Sequence, residues 1–111
     1  MSTEFNLTTE LHDKTLVIIT NGYINSAGGE QIVKEFEKYA EVKKLILNLE
    51  NSQVVNSIGI SHLIEVIERL NQVNGKLIFT NLDSTIEKTF SIMGLFQFAD
   101  KSDSVESALK A

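Results

Sequence analysis

Few side chains in this sequence stand where they could do chemistry, and the foremost is the serine of Asn56-Ser57-Ile58-Gly59. A helical apolar pattern follows it, so Ser57 falls at a helix start. There, unpaired backbone N–H groups and the positive end of the helix dipole favour an anion. A phosphate on Ser57 would be tolerated at that place. The same Asn-Ser pair also reads as a plain N-cap that satisfies backbone donors, as does Asn25-Ser26 before the first helical run. Spacing alone leaves both readings open. Catalysis finds little support. His12 and His62 are isolated, with no partner at metal-ligand spacing. No Gly-x-Ser-x-Gly elbow surrounds a serine, and Gly28-Gly29 is too sparse for a phosphate-cradling loop. The chain has no cysteine, which removes thiolate metal sites, disulfides and cysteine nucleophiles together. The acidic residues are spread over helix faces without an acid–base pair. The pattern is that of a binder rather than an enzyme, with no metal or cofactor expected.

Charge narrows what is bound. The net charge is −5 and the 10 Lys and Arg residues are scattered, with Lys43-Lys44 the densest pair. Counterion release on nucleic acid needs clustered cations, so nucleic acid and anionic membrane are poor partners. A protein or a small ligand remains. The apolar stretches, such as residues 16–19, are too short to cross a bilayer. Residues 1–10 lack the basic-then-apolar layout of a signal peptide, so a cytoplasmic location is expected. At 111 residues the chain is sized for one domain, expected to span residues 1–111.

The elements that must position these residues follow from hydrophobic period. Residues 5–11 alternate as a half-exposed strand, His12-Asp13 turns, and residues 14–20 form a buried strand, giving an antiparallel hairpin. Residues from Asn25 or Ser26 to about Ala40 carry Ile32, Val33, Phe36, Tyr39 and Ala40 at helical spacing. Residues 44–49 form a third strand with Leu45, Leu47 and Leu49 on one face and Ile46 on the other. A second helix over residues 57–73 buries Ile60, Leu63, Ile64, Ile67 and Leu70, and Asn74-Gly75 ends it. Residues 76–80 form a fourth strand. Ser84-Thr85-Ile86-Glu87 is a capping-box pattern for a third helix that Gly94 stops, and Asp103-Ser104-Val105-Glu106 opens a short last one. The order predicts an α/β domain: a mostly parallel four-stranded sheet with an N-terminal hairpin and four helices. Leu47, Ile18, Leu63, Ile67, Phe36 and Leu77 are expected in one core. The carboxyl ends of the parallel strands then share an edge carrying Asn25, Asn56-Ser57 and Asn81, where sites in such sheets usually form.

With these residues in place, the sequence resembles the anti-sigma factor antagonists built on the STAS domain. The resemblance runs over nearly the whole chain. It is carried by Leu45-Ile46-Leu47-Asn48-Leu49, the motif at 56–59, residues 60–70, Asn74-Gly75-Lys76-Leu77, and Phe90-Ser91-Ile92-Met93-Gly94-Leu95-Phe96. It implies a STAS-like fold and a partner switch in which Ser57 is the phosphorylated residue. The implied partner is an anti-sigma factor that is also a serine kinase of the histidine-kinase-like ATPase type, with a phosphatase for resetting. The implied partner surface comprises Asn25, Asn56, Ser57, Ile58, Gly59, Ser61 and His62. Three residues depart from the family's pattern. Asn56 and Asn25 stand where aspartates are usual, and Ile58 replaces a second hydroxyl residue. These changes also suit a constitutive adaptor or scaffold that is never phosphorylated.

Overall fold

A computed structural model of the chain describes residues 5–39 and 41–111. The first pairing is local. Strand β1 (Asn6–His12) returns through a turn in which Asp13 takes a left-handed φ of 60° and runs antiparallel beside β2 (Thr15–Asn21). Short polar residues tolerate that conformation, which sets the hairpin. Helix α1 (Ser26–Glu37), strand β3 (Lys44–Asn51), helix α2 (Ser57–Gln72) and strand β4 (Lys76–Thr80) follow, with β2, β3 and β4 mutually parallel. Helix α3 (Ser84–Ile92) stops at Gly94, whose φ of 80° favours a residue without a Cβ. A 3-10 turn (Leu95–Gln97), strand β5 (Asp100–Ser102) and helix α4 (Val105–Lys110) complete the order.

The sheet therefore has five strands in the order β1-β2-β3-β4-β5, with β5 parallel to β4. The fifth is an edge strand of only three residues, Asp100, Lys101 and Ser102, too polar and too short to leave a hydrophobic period in the sequence. The first helix ends at Glu37 rather than near Ala40, and Ala40 itself lies outside the described residues, as do residues 1–4. The third helix is capped by Asp83, whose carboxylate accepts from the Thr85 N–H at 3.0 Å, in place of the Ser84 cap that the sequence pattern offered. Asn74, at φ 58°, supplies the left-handed residue that ends α2. Gly75 serves close approach instead, since an added Cβ would lie 2.5 Å from the Lys43 carbonyl oxygen.

The period-two alternation of the strands sorts the core. Leu16, Ile18, Leu45, Leu47, Leu49, Leu77 and Phe79 face α1, α2 and α3 in the main cluster. Val17, Ile46 and Ile78 face the other way and are covered by Ala108 of α4 with Val105 and Leu109 beside it. Of the expected core, Leu47, Ile18, Leu63, Ile67 and Leu77 are buried, and Phe36 packs against them partly exposed. A tilted Phe79–Phe90 pair at 5.0 Å and an edge-on Phe79–Phe96 contact at 6.3 Å fix α3 and the 3-10 turn against β4.

Candidate functional site

The parallel strands place their carboxyl ends along one edge, and one residue there organises two helix starts. Ile24 forms an isolated parallel bridge with Val55. Its N–H donates to the Val54 carbonyl at 3.0 Å, and its own carbonyl accepts from the Asn56 N–H at 3.1 Å. The next residue, Asn25, caps α1, its side-chain oxygen accepting from the Gly28 N–H at 3.0 Å. Asn56 caps α2 in the same manner, accepting from the Gly59 N–H at 2.8 Å. Both asparagines thus commit a side-chain oxygen to helix donors, and the bridge holds the two caps side by side. Asp could do the same capping, so the asparagines at these positions keep the geometry and remove the negative charge.

Two glycines make that proximity possible. A Cβ on Gly59 would stand 2.2 Å from the Ile24 carbonyl oxygen, so the first turn of α2 lies directly against the loop that carries Asn25. Gly29 in α1 is the seat for the His62 ring, which would meet an added Cβ at 2.5 Å. His62 is half-buried, with Nδ1 at 3.9 Å from the Glu65 carboxylate. It spaces α1 from α2. Gly59 is buried and contributes position rather than surface. Beneath the edge, Thr20 and Ser52 hydroxyls share a buried hydrogen bond of 2.7 Å, and Glu50 N–H donates to the Asn48 side chain at 2.9 Å.

On this support sits Ser57, the first residue of α2, with its side chain exposed. Its amide and that of Ile58 begin the helix, where no preceding turn supplies acceptors. Its carbonyl accepts from the Ser61 hydroxyl at 3.1 Å, so Ser61 is exposed on the same side one turn on, its proton turned back to the helix. The structure thus brings Asn25, Asn56, Ser57 and Ser61 to one rim. Ile58 is exposed beside them, 52% accessible despite being apolar. Tyr23 and Val54, the neighbours of the bridged pair, are likewise exposed apolar residues, at 39% and 55%. Sequence reasoning passed over both because they sit in loops, where no period marks which apolar residues stay outside. Asn81, at φ 57°, lies on the same sheet edge but lines a separate polar hollow of about 600 Å³ with Lys101, Ser102 and Asp103. Among the described residues no group of three or more His, Cys, Asp or Glu side chains could hold a metal ion. No helix among them is long and apolar enough to cross a membrane.

The site is thus an exposed hydroxyl on a helix start, ringed by capping asparagines and exposed apolar side chains. The chain is similar to known proteins over almost its whole length. BtrV of Bordetella bronchiseptica, named as an anti-sigma factor antagonist, is 30% identical over 109 residues, covering 95% of this chain and 92% of its own. The fold is shared with SpoIIAA from Bacillus in its phosphorylated form, at a TM-score of 0.76 and 24% identity over 95% of this chain and 97% of that one. Unphosphorylated SpoIIAA superposes with a TM-score of 0.75 at 24% identity, covering 96% of this chain and 94% of its own. The Thermotoga maritima protein tm1081 reaches 0.85 at 13% identity, covering 94% and 92%. The STAS domain profile matches residues 6–108, and the chain belongs to the STAS domain family.

Proposed function

We propose that this chain is an anti-sigma factor antagonist in a phosphorylation-controlled partner switch. Its work is binding, not catalysis. With Ser57 unphosphorylated, the rim of Asn25, Asn56, Ser57, Ile58, Ser61 and His62 docks on an anti-sigma factor that is also a serine kinase of the histidine-kinase-like ATPase type. Phosphate on Ser57 ends that complex, and a phosphatase restores the hydroxyl. The exchange takes place in the cytoplasm. One observation carries this reading: the Ser57 side chain is exposed at the first position of α2, where a dianion meets the helix dipole and free N–H groups. The similarity to BtrV supports the choice of partner class. The existence of SpoIIAA in phosphorylated and unphosphorylated forms supports the chemistry.

The test is incubation with the cognate kinase and ATP, followed by intact mass. The expected result is one added phosphate on the parent protein and none on Ser57→Ala. A parent protein that binds the kinase but stays unmodified would leave the constitutive adaptor as the better account.

A further inference from the structure

Ser57 shares its side of α2 with a second feature. At 100° per residue, Ser57, Ser61, Ile64, Glu68, Asn71 and Gln72 fall within one arc of about 100° around the helix. Ser61, Glu68, Asn71 and Gln72 are exposed and Ile64 partly so, whereas Leu63, Val66, Ile67 and Leu70 on the other side are buried. The lower half of this stripe forms one wall of an apolar hollow of about 540 Å³, and Met93 and Phe98 stand on the other wall. Met93 is 49% and Phe98 62% accessible. That wall is firmly seated, because Leu95 is buried and Phe96 packs edge-on against Phe79. The hollow is a fixed slot with a greasy lip.

The one charge in the slot is Glu68. Its neighbour Arg69 is occupied by Glu37 and Glu65, while Glu68 has no ion pair among the described residues. The rise of a helix sets Glu68 about 16 Å from Ser57. A standard protein interface covers about 800 Å² per partner, a patch roughly 30 Å across, so one footprint with Ser57 toward one side also takes in Glu68 and the slot beside it.

We infer that the partner which covers Ser57 also anchors in the slot between α2 and the 3-10 turn, through a segment carrying one bulky apolar side chain and one Lys or Arg. The apolar group fills the space between Ile64, Met93 and Phe98, and the cation meets Glu68. The slot supplies affinity that does not depend on the state of Ser57, and the hydroxyl supplies the control. This rests on the function proposed above, in that it takes the same partner.

The experiment is isothermal titration of the kinase that modifies Ser57 against the parent and three variants: Ser57→Asp, Phe98→Asp and Glu68→Lys. Both slot residues are exposed, so the melting temperatures of their variants should match the parent. The expected outcome is a loss of affinity of at least tenfold for Phe98→Asp and about tenfold for Glu68→Lys, with the slope of binding against salt reduced only in the latter. If Ser57→Asp weakens binding and both slot variants bind as the parent does, the slot is not used, and the Ser57 reading stands alone. If the slot variants lose affinity while Ser57→Asp does not, the partner reads the slot but not the serine, and the linkage between them falls. A parent protein that fails to bind overturns both.

Discussion

Gly59 shows how much of the site rests on a single absent methyl group. With the Ile24 carbonyl oxygen 2.2 Å from where a Cβ would sit, and backbone unable to swing aside, Gly59→Ala must push the start of α2 away from the loop bearing Asn25. Overpacking of this kind costs about 1–3 kcal/mol, and urea denaturation of the variant should read a loss in that range. An unchanged midpoint would mean that the helix start is not held against Ile24. Asn56 predicts the opposite pattern. Asn and Asp cap equally well, so Asn56→Asp should leave stability within about 0.5 kcal/mol while changing the rate at which Ser57 is phosphorylated. Equal rates for the two proteins would make the missing carboxylate irrelevant to the kinase. Thr80 is the one buried side-chain oxygen without a hydrogen-bond partner among the described residues, and it is fully enclosed at the end of β4. Replacing it by the isosteric apolar residue removes an uncompensated desolvation penalty. Thr80→Val should therefore raise stability by about 1 kcal/mol by the same denaturation measurement, and a loss of that size would show the hydroxyl to be satisfied in solution.

At the scale of elements, β3 is the test of the architecture, since its five buried residues from Leu45 to Leu49 serve both layers. Leu47→Ala should cost about 2–5 kcal/mol in denaturant unfolding, whereas a cost below about 0.5 kcal/mol would mean a surface site and a misplaced strand. The strands and long helices were legible because burial on one side writes a period into the sequence: Leu45, Leu47 and Leu49 alternating with Ile46 mark both faces of β3. Ser57 as the start of α2 was legible because capping is local. Three things were not. Strand β5 is three polar and charged residues whose strand pairing is to Ile78, Phe79 and Thr80, a contact distant in sequence. The Asp83 cap stands one residue ahead of a plausible Ser84 box, and only backbone geometry separates them. The juxtaposition of the Asn25 and Asn56 caps depends on the Ile24–Val55 bridge, which joins residues 31 apart and leaves no local signature.

In the proposed switch the molecule as a whole would change its partner without changing its shape, and the placement of Ser57 allows that. A phosphate adds about −1.5 to −2 charges to a protein already at −5, but it does so at an exposed helix start whose dipole and free amides favour an anion. The free domain has no reason to unfold. A docked partner surface shaped for a hydroxyl has every reason to let go, because the phosphate must be stripped of water against it. A penalty of about 3–4 kcal/mol weakens binding several hundredfold, which is enough to release a partner. Ser57→Asp should therefore melt within a few degrees of the parent and bind the kinase far more weakly, while Ser57→Ala should bind as the parent does and ignore ATP. Titration of all three, together with the enzymatically phosphorylated parent, decides the matter. If the aspartate variant and the genuine phosphoprotein both bind as tightly as the unmodified chain, Ser57 is a helix residue and nothing more, and the domain acts as a fixed adaptor.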